Sequence, residues 1–291
     1  MLAHLASGVG NLVLATPLLI ALSELGFAVD LRLDADYPQA IALFEGWSIL
    51  RCIRGGAFPG RLGEYWRVLP AVPPFYWGRF AGLYRGVRNV VSRPPDSLFY
   101  GNEQAYYLAF AEALGFAGSP EYRLPIAPRA DASVSAATVV LAPGCKTGEM
   151  AAKRWPYFPE LAARIADVAV VGTPDDLGEK PFPPHCRSFV GKLSLRETAE
   201  LMAGAGLVIG NDAGLSHVAA AVGTPTLMLF GPTADKVLGA FPTHVTVLRS
   251  GLPCEPCWTT ARLQACERRI DCLQQMGVDA VWDAARRLHP L

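Results

Sequence analysis

The sequence predicts an α/β protein built from two doubly wound halves. Strand-like apolar runs alternate with helical periods in both halves of the 291-residue chain, an order that gives parallel sheets joined by crossover helices. Between the halves, "PEYRLPIAPRADAS" carries three prolines and no helical period, which is the composition of a linker. Open sheets of this kind bind ligands at the C-terminal ends of their strands. Two halves whose strand ends face each other would form a cleft.

In the first half, residues 2–6 read as a short buried strand. "SGVGN", Ser7 to Asn11, reads as a glycine loop. Thr16-Pro17 opens a helix, since proline is tolerated in a first turn, and Leu18, Leu19, Leu22 and Leu25 make its apolar stripe. Gly26 sits where a cap glycine belongs. "FAVDLRL" reads as a second strand, "PQAIALFEG" as a helix and "SILRCI" as a third strand. Residues 55–97 break the alternation. They are rich in Gly, Pro and aromatics, and from Arg51 to Arg93 the charges are eight arginines against the single acid Glu64. "NEQAYYLAFAEALGF" is a helix that closes near Gly115.

The second half restarts the pattern. "ATVVLAPG" is a strand entering a glycine turn, "YFPELAARIA" a helix and "VAVVGTP" a strand. "SLRETAELMAGA" is a helix whose Ser194 and Glu197 form a capping box. "GLVIGND" is a strand, "GLSHVAAAVG" a helix, "PTLMLFGPT" a strand and "VDAVWDAARRL" a final amphipathic helix. The resulting domains are residues 1–130, 131–275 and a C-terminal helix, 276–291, expected to pack back toward the first domain.

Composition excludes some functions. Hydrophobic residues make up 51% of the chain, enough for a large core. The net charge is zero, which argues against holding nucleic acid by bulk charge. No apolar run reaches the roughly 18 residues of a membrane span, and the start has no basic segment with a small-residue cleavage site. A cytoplasmic protein is expected. Its oligomeric state is left open.

Three strand-to-helix turns can carry chemistry. In "GNDAGLSHVAAAVGTP" a strand ends at Asp212 and a helix opens near Gly214. The first N–H groups of that helix have no internal partners and suit a phosphate. Asp212 can accept from hydroxyls, and His217 lies one turn on. The alternative is a helix cap and a structural histidine. In "LAPGCKTGEMAAKRW" a strand ends in a glycine turn whose Cys145, Lys146 and Thr147 are candidate binding residues, and Lys153 and Arg154 precede a helix; lysine serves a phosphate as a compact point charge, and the alternative is a solvated surface loop. In "VVGTPDD", Asp175 and Asp176 follow a strand, where carboxylates hold ribose hydroxyls or simply close a turn. Gly8-x-Gly10 lacks the third glycine of the dinucleotide fingerprint, which argues against a dehydrogenase.

Together with "SGVGNLVLATPLLIALSELGF", these segments resemble the signatures of glycosyltransferase family 9, the ADP-heptose:lipopolysaccharide heptosyltransferases. The resemblance implies a GT-B fold of two Rossmann-like domains: an acceptor-side N-terminal domain and a nucleotide-sugar-binding C-terminal one. It also implies inverting, metal-independent transfer from a nucleotide sugar, usually ADP-heptose, with no catalytic cofactor. Carried over, Lys153 meets the donor phosphate. Asp212, Ala213, Gly214, Leu215 and His217 form the donor loop, with Ala213 in place of the usual threonine. Asp175 and Asp176 contact ribose, Leu193 lies near adenine, and Gly8 and Gly10 approach the donor sugar.

The position after the N-terminal glycines is commonly Asp in the family, the proposed base. Here it is Asn11, and an amide has no useful basicity. Either the base lies elsewhere, with Glu103 the first substitute, or the acceptor needs little help, or the protein binds a nucleotide sugar without transferring it. The arginine-rich, aromatic segment 51–93 suits an anionic saccharide acceptor, such as a phosphorylated inner core, and peripheral contact with the inner face of an anionic membrane. Its aromatics can equally be core packing. Cys254, Cys257, Cys266 and Cys272 have the spacing C-x2-C-x8-C-x5-C, which can close around a structural zinc or iron ion. The alternative is reduced thiols packed in a loop.

Overall fold

A computed structural model describes residues 1–129, 133–145, 153–257, 266 and 271–291. The chain divides into two compact units: Met1–Pro125 with Lys236–Ala240, and Ile126–Asp235 with Phe241–Leu291. Each unit holds one parallel sheet.

The first sheet runs in the order β3-β2-β1-β4. Its strands are β1 (Leu2–Ser7), β2 (Val29–Ala35), β3 (Leu50–Gly55) and β4 (Val68–Ala71). β1 is central and buried at every position, which is why "LAHLAS" reads as a nearly continuous apolar run. Its one polar ring, His4, is fully buried. His4 Nε2 lies 2.8 Å from Asp34 Oδ2, and Nδ1 meets the Tyr84 hydroxyl. A neutral ring protonated at Nε2 satisfies both partners, and burial lowers the His4 pKa. Asp34 also accepts from Arg32 Nε at 2.6 Å. Burial pushes its pKa up, but the bonds from His4 and Arg32 overcome that and bring it to about 2.

Helix α1 (Val9–Leu14) follows β1 at once, with Gly8 as its N-cap. The expected glycine loop is therefore one residue of extended chain, and Gly10 and Asn11 lie in a first helical turn. Helix α2 (Thr16–Glu24) takes Pro17 in its first turn and buries every residue from Thr16 to Leu22, far more than one stripe. Gly26, with φ 81°, lets Phe27 N turn back to the Leu22 carbonyl at 3.0 Å. "PQAIAL" is a 3₁₀ helix (Pro38–Leu43), tighter than the α-helix expected. Within the irregular segment, β4 was not legible: "VLPA" is short and holds a proline. Proline is tolerated because β4 is the last strand of its sheet. Helices α3 (Pro74–Phe80), α4 (Asp96–Gly101) and α5 (Glu103–Glu112) complete the unit.

The second sheet runs β10-β9-β8-β5-β6-β7. Its strands are β5 (Val139–Ala142), β6 (Val168–Val170), β7 (Arg187–Ser188), β8 (Leu207–Asn211), β9 (Thr226–Leu229) and β10 (Val245–Leu248). From β5 the chain winds outward through β6 and β7. It then returns to the other side and winds out through β8, β9 and β10. The winding reverses between β5 and β8, whose ends lie level, with Ala142 opposite Gly210. Such a switch point opens a crevice beyond the strand ends. Helices α6 (Phe158–Ala162), α7 (Leu195–Ala203) and α8 (Gly214–Ala221) cross between strands. The C-terminal helix Val278–Leu288, set apart in the sequence reading as 276–291, belongs to this unit: Val281, Ala284 and Ala285 join its core beside Trp155 and Phe158.

Candidate functional site

The switch point of the second sheet carries a dense polar group. Asp212 follows the last residue of β8, and its side chain is 8% exposed. Lys153 Nζ lies 2.6 Å from Asp212 Oδ2, and Thr233 Oγ1 donates to the same oxygen at 2.5 Å. His217 Nε2 lies 3.5 Å from Oδ1. Burial favours the neutral acid, but the Lys153 ammonium and then the His217 imidazole reverse this and hold the carboxyl far below the usual range. His217, on α8, stacks on Phe241 with ring centroids 6.1 Å apart.

Helix α8 begins immediately after this group. Its N-cap, Ala213, provides no side-chain hydrogen bond. The first-turn N–H groups of Gly214 and Leu215 precede the first intrahelical donors, Ser216 and His217, both of which bond to the Ala213 carbonyl. An uncapped helix start beside a lysine is an anion site.

The turn after β5 forms the neighbouring wall. A Cβ on Gly144 would lie 2.6 Å from Asp176 Cγ, so a larger residue there would have to displace that carboxyl. Asp176 accepts from Thr173 N at 2.7 Å and from Thr173 Oγ1 at 3.0 Å, closing its own turn. Arg154 spans the turns, donating to Asp175 O at 2.6 Å and Cys145 O at 3.4 Å, with Asp176 Oδ1 at 3.5 Å. The Asp176 carboxylate is thus engaged in the turn, while Asp175 is exposed. Leu193 is half-buried beside the Ser194 cap; that capping box has both of its bonds, 3.2 and 2.8 Å. Lys146 and Thr147 lie outside the described residues.

Asn211 and Thr233 join this group although sequence reasoning did not select them as site residues. The place of Asn211 at the end of β8 is a local signal, but its partners, and the Asp212 partner of Thr233, four residues beyond β9, lie far off in sequence.

The first unit holds a second polar group at the end of β1. Ser7 Oγ donates to Asn11 Oδ1 at 2.9 Å, and Asn11 Nδ2 donates to Glu103 Oε1 at 2.7 Å. Glu103, at the start of α5, is 3% exposed. Tyr107 is buried against it, and burial and the Glu103 charge push that phenol well above its usual range. Of the arginines in 51–93, Arg51 forks onto Asp30 with both distances 2.7 Å. Arg93 pairs with Asp96 at 2.9 Å and lies 4.3 Å over the Trp77 ring. Phe80 and Tyr84 are core residues, as the packing alternative holds, whereas Trp66 and Phe75 are more than half exposed.

In the cysteine segment the seven-cysteine total includes no disulfide among the described residues. Cys254 is exposed and Cys272 buried. Burial and then the Glu255 charge, with Cys257 and Cys254 adding to it, push the Cys272 thiol up to about 12. Among the described residues, no group of three or more His, Cys, Asp or Glu is placed to hold a metal ion. Residues 258–265 and 267–270 lie outside them. No helix among the described residues is long and apolar enough to cross a membrane.

Known proteins resemble this chain in sequence and in fold. The profile of Glycosyltransferase family 9 (heptosyltransferase) matches residues 104–266. Lipooligosaccharide heptosyltransferase 2 of Haemophilus influenzae is 34% identical over 122 residues, covering 37% of this chain and 35% of that one. Lipopolysaccharide heptosyltransferase 1 of Pseudomonas aeruginosa is 36% identical over 115 residues, 36% of this chain and 32% of that one. The match spans about a third of the length of these curated relatives. Among solved structures, the family 9 glycosyl transferase of Veillonella parvula superposes with a TM-score of 0.73 at 17% identity, covering 98% of this chain and 96% of that one. An E. coli heptosyltransferase solved with ADP gives 0.67 at 18% identity, covering 99% of both chains. The iron-containing dodecameric glycosyltransferase TibC of enterotoxigenic E. coli gives 0.68 at 19% identity, covering 98% of this chain and 75% of that one. The two parallel sheets are therefore those of the heptosyltransferase GT-B fold, and the chain belongs to glycosyltransferase family 9.

Proposed function

We propose that this protein is an inverting glycosyltransferase that moves a sugar, heptose from ADP-heptose in the first instance, to a hydroxyl of an anionic saccharide such as a lipopolysaccharide core. The observation that carries the reading is the Lys153–Asp212 pair beside the uncapped start of α8. A diphosphate bound there meets one compact cation and the free N–H groups of Gly214 and Leu215. The same groups stabilise the charge that develops on the leaving diphosphate as the acceptor oxygen attacks C1. They supply the positive charge that a metal-assisted transferase takes from its ion, which supports transfer without a catalytic metal. Asp212 orients Lys153 through the 2.6 Å contact between its Oδ2 and Nζ.

In this reading Glu103 takes the acceptor proton, and Asn11 orients the Glu103 carboxylate through its amide. The alternative is a protein that binds a nucleotide sugar with little turnover, a reading favoured by the amide at position 11. The reading extends to a cytoplasmic protein that touches the inner membrane face, supported by the exposed Trp66 and Phe75 on an arginine-rich unit. For the cysteine segment it gives a structural zinc or iron ion. The four-cysteine spacing supports this. Elemental analysis of anaerobically purified protein tests it, and absence of both metals rejects it.

A thermal-shift comparison of ADP-heptose, ADP, UDP-sugars and GDP-sugars tests the donor. A ligand at a hundredfold excess over Kd stabilises by about 2.7 kcal/mol. Stabilisation by ADP compounds supports the assignment, and stabilisation by UDP- or GDP-sugars alone overturns it. Product formation with a core saccharide then separates transfer from binding without turnover.

A further inference from the structure

Asn211 is the last residue of β8 and has no exposed surface. Its amide touches both segments that flank the Lys153–Asp212 pair. Oδ1 accepts the Trp155 main-chain N–H at 2.9 Å. Nδ2 donates to the Pro143 carbonyl at 2.7 Å, with the Gly144 carbonyl at 3.4 Å. The turn after β5 and the segment entering α6 are therefore fastened to one strand end by one side chain. Trp155 is held on its far side as well, where Nε1 donates to the Met276 carbonyl at 2.7 Å. Residues 211 and 212 thus grip residues 155 and 153 in turn, the first through the backbone and the second through the ammonium.

The contacts require an amide. They need an acceptor and a donor on one short, uncharged side chain, because the partners are an N–H on one side and carbonyls on the other. A carboxylate loses the donor, and a hydroxyl is too short to reach both sides.

We propose that Asn211 is a positioning residue for the donor diphosphate. By fixing the Trp155 backbone against the Pro143–Gly144 turn, it sets where the Lys153 ammonium stands. A lysine stem is long and flexible, so its phosphate affinity depends on how well its backbone is anchored. The proposal rests on the reading that Lys153 and Asp212 serve a nucleotide diphosphate.

The test is calorimetric binding of ADP and of adenosine, which lacks the phosphates, to the full chain and to the Asn211→Ala, Lys153→Met and double variants. Near-UV circular dichroism monitors folding, and Asn211→Ser replaces the alanine variant if that one does not fold. The expected result is ADP binding weakened about tenfold or more by the Asn211 change, with adenosine binding changed less than about twofold. The Asn211 change should add little once Lys153 is gone. Equal losses for ADP and adenosine, or fully additive losses with Lys153→Met, overturn the positioning role. A folded wild-type chain that binds neither ADP nor an ADP-sugar overturns the donor reading itself.

Discussion

Asn11 Nδ2 lies 2.7 Å from Glu103 Oε1, so the amide at the start of α1 and the carboxylate at the start of α5 form one hydrogen-bonded pair. A carboxylate at position 11 would confront Glu103 with a like charge at that distance, and the two would share a proton. With the amide, Glu103 is the one ionisable member. Glu103→Gln is expected to lower kcat about 10²–10⁴-fold, the usual worth of a general base, with donor Kd nearly unchanged. Single-turnover transfer assays check this; an undiminished rate removes Glu103 as base.

Lys153→Met removes the ammonium paired with Asp212 at the switch point and leaves that buried carboxylate without its lysine partner. ADP affinity should fall by about tenfold or more, since a charged hydrogen bond is worth about 1.5–3 kcal/mol. Melting should also move to lower temperature. Calorimetric titration and a melting curve on one preparation read both.

Thr233→Val is nearly isosteric and deletes the hydroxyl that donates to Asp212 at 2.5 Å. Stability should drop by about 1.5–3 kcal/mol, measured by denaturant titration. A loss below a few tenths would show that the hydroxyl contributes nothing at this carboxylate.

Ala213→Thr restores a capping side chain to a residue already in extended conformation, φ −153° and ψ 168°. A gain of about 1 kcal/mol is expected. An unchanged or lower melting temperature contradicts it.

The His4–Asp34 pair makes the first unit acid-sensitive. The folded His4 pKa is lowered, so the unfolded chain takes up the proton first, and stability falls as pH drops below about 6.5. Asp34 titrates at about 2 when folded and near 3.9 when unfolded; its contribution is present above about pH 4 and is lost between there and about 2. Melting temperatures from pH 8 to 3 should decline in those two stages, and His4→Gln should flatten the first.

The alternation of strands and helices was legible because each element carries its own period or cap. The Ser194–Glu197 box, the glycine after α2 and the Asp212 turn are signals confined to a few neighbouring residues. What escaped depends on distant partners. β4 is four residues long and gains its place from β1 and not from its own pattern. The glycines at 8 and 10 read as a loop, yet the chain enters a helix there. Thr233 reaches Asp212 across 21 positions and Asn211 reaches Trp155 across 56, separations that no local pattern reports.

Residues Lys236–Ala240 belong to the first unit although the second encloses them in sequence, and Gln104 Nε2 donates to the Ala240 carbonyl at 2.9 Å. A protease cut between Pro125 and Ile126 would therefore not yield two complete pieces, because the C-terminal fragment carries off part of its neighbour's fold. The same threading governs synthesis on the ribosome. The unit that is translated first is finished late, after most of the other has emerged, and until then α5 lacks its last contacts.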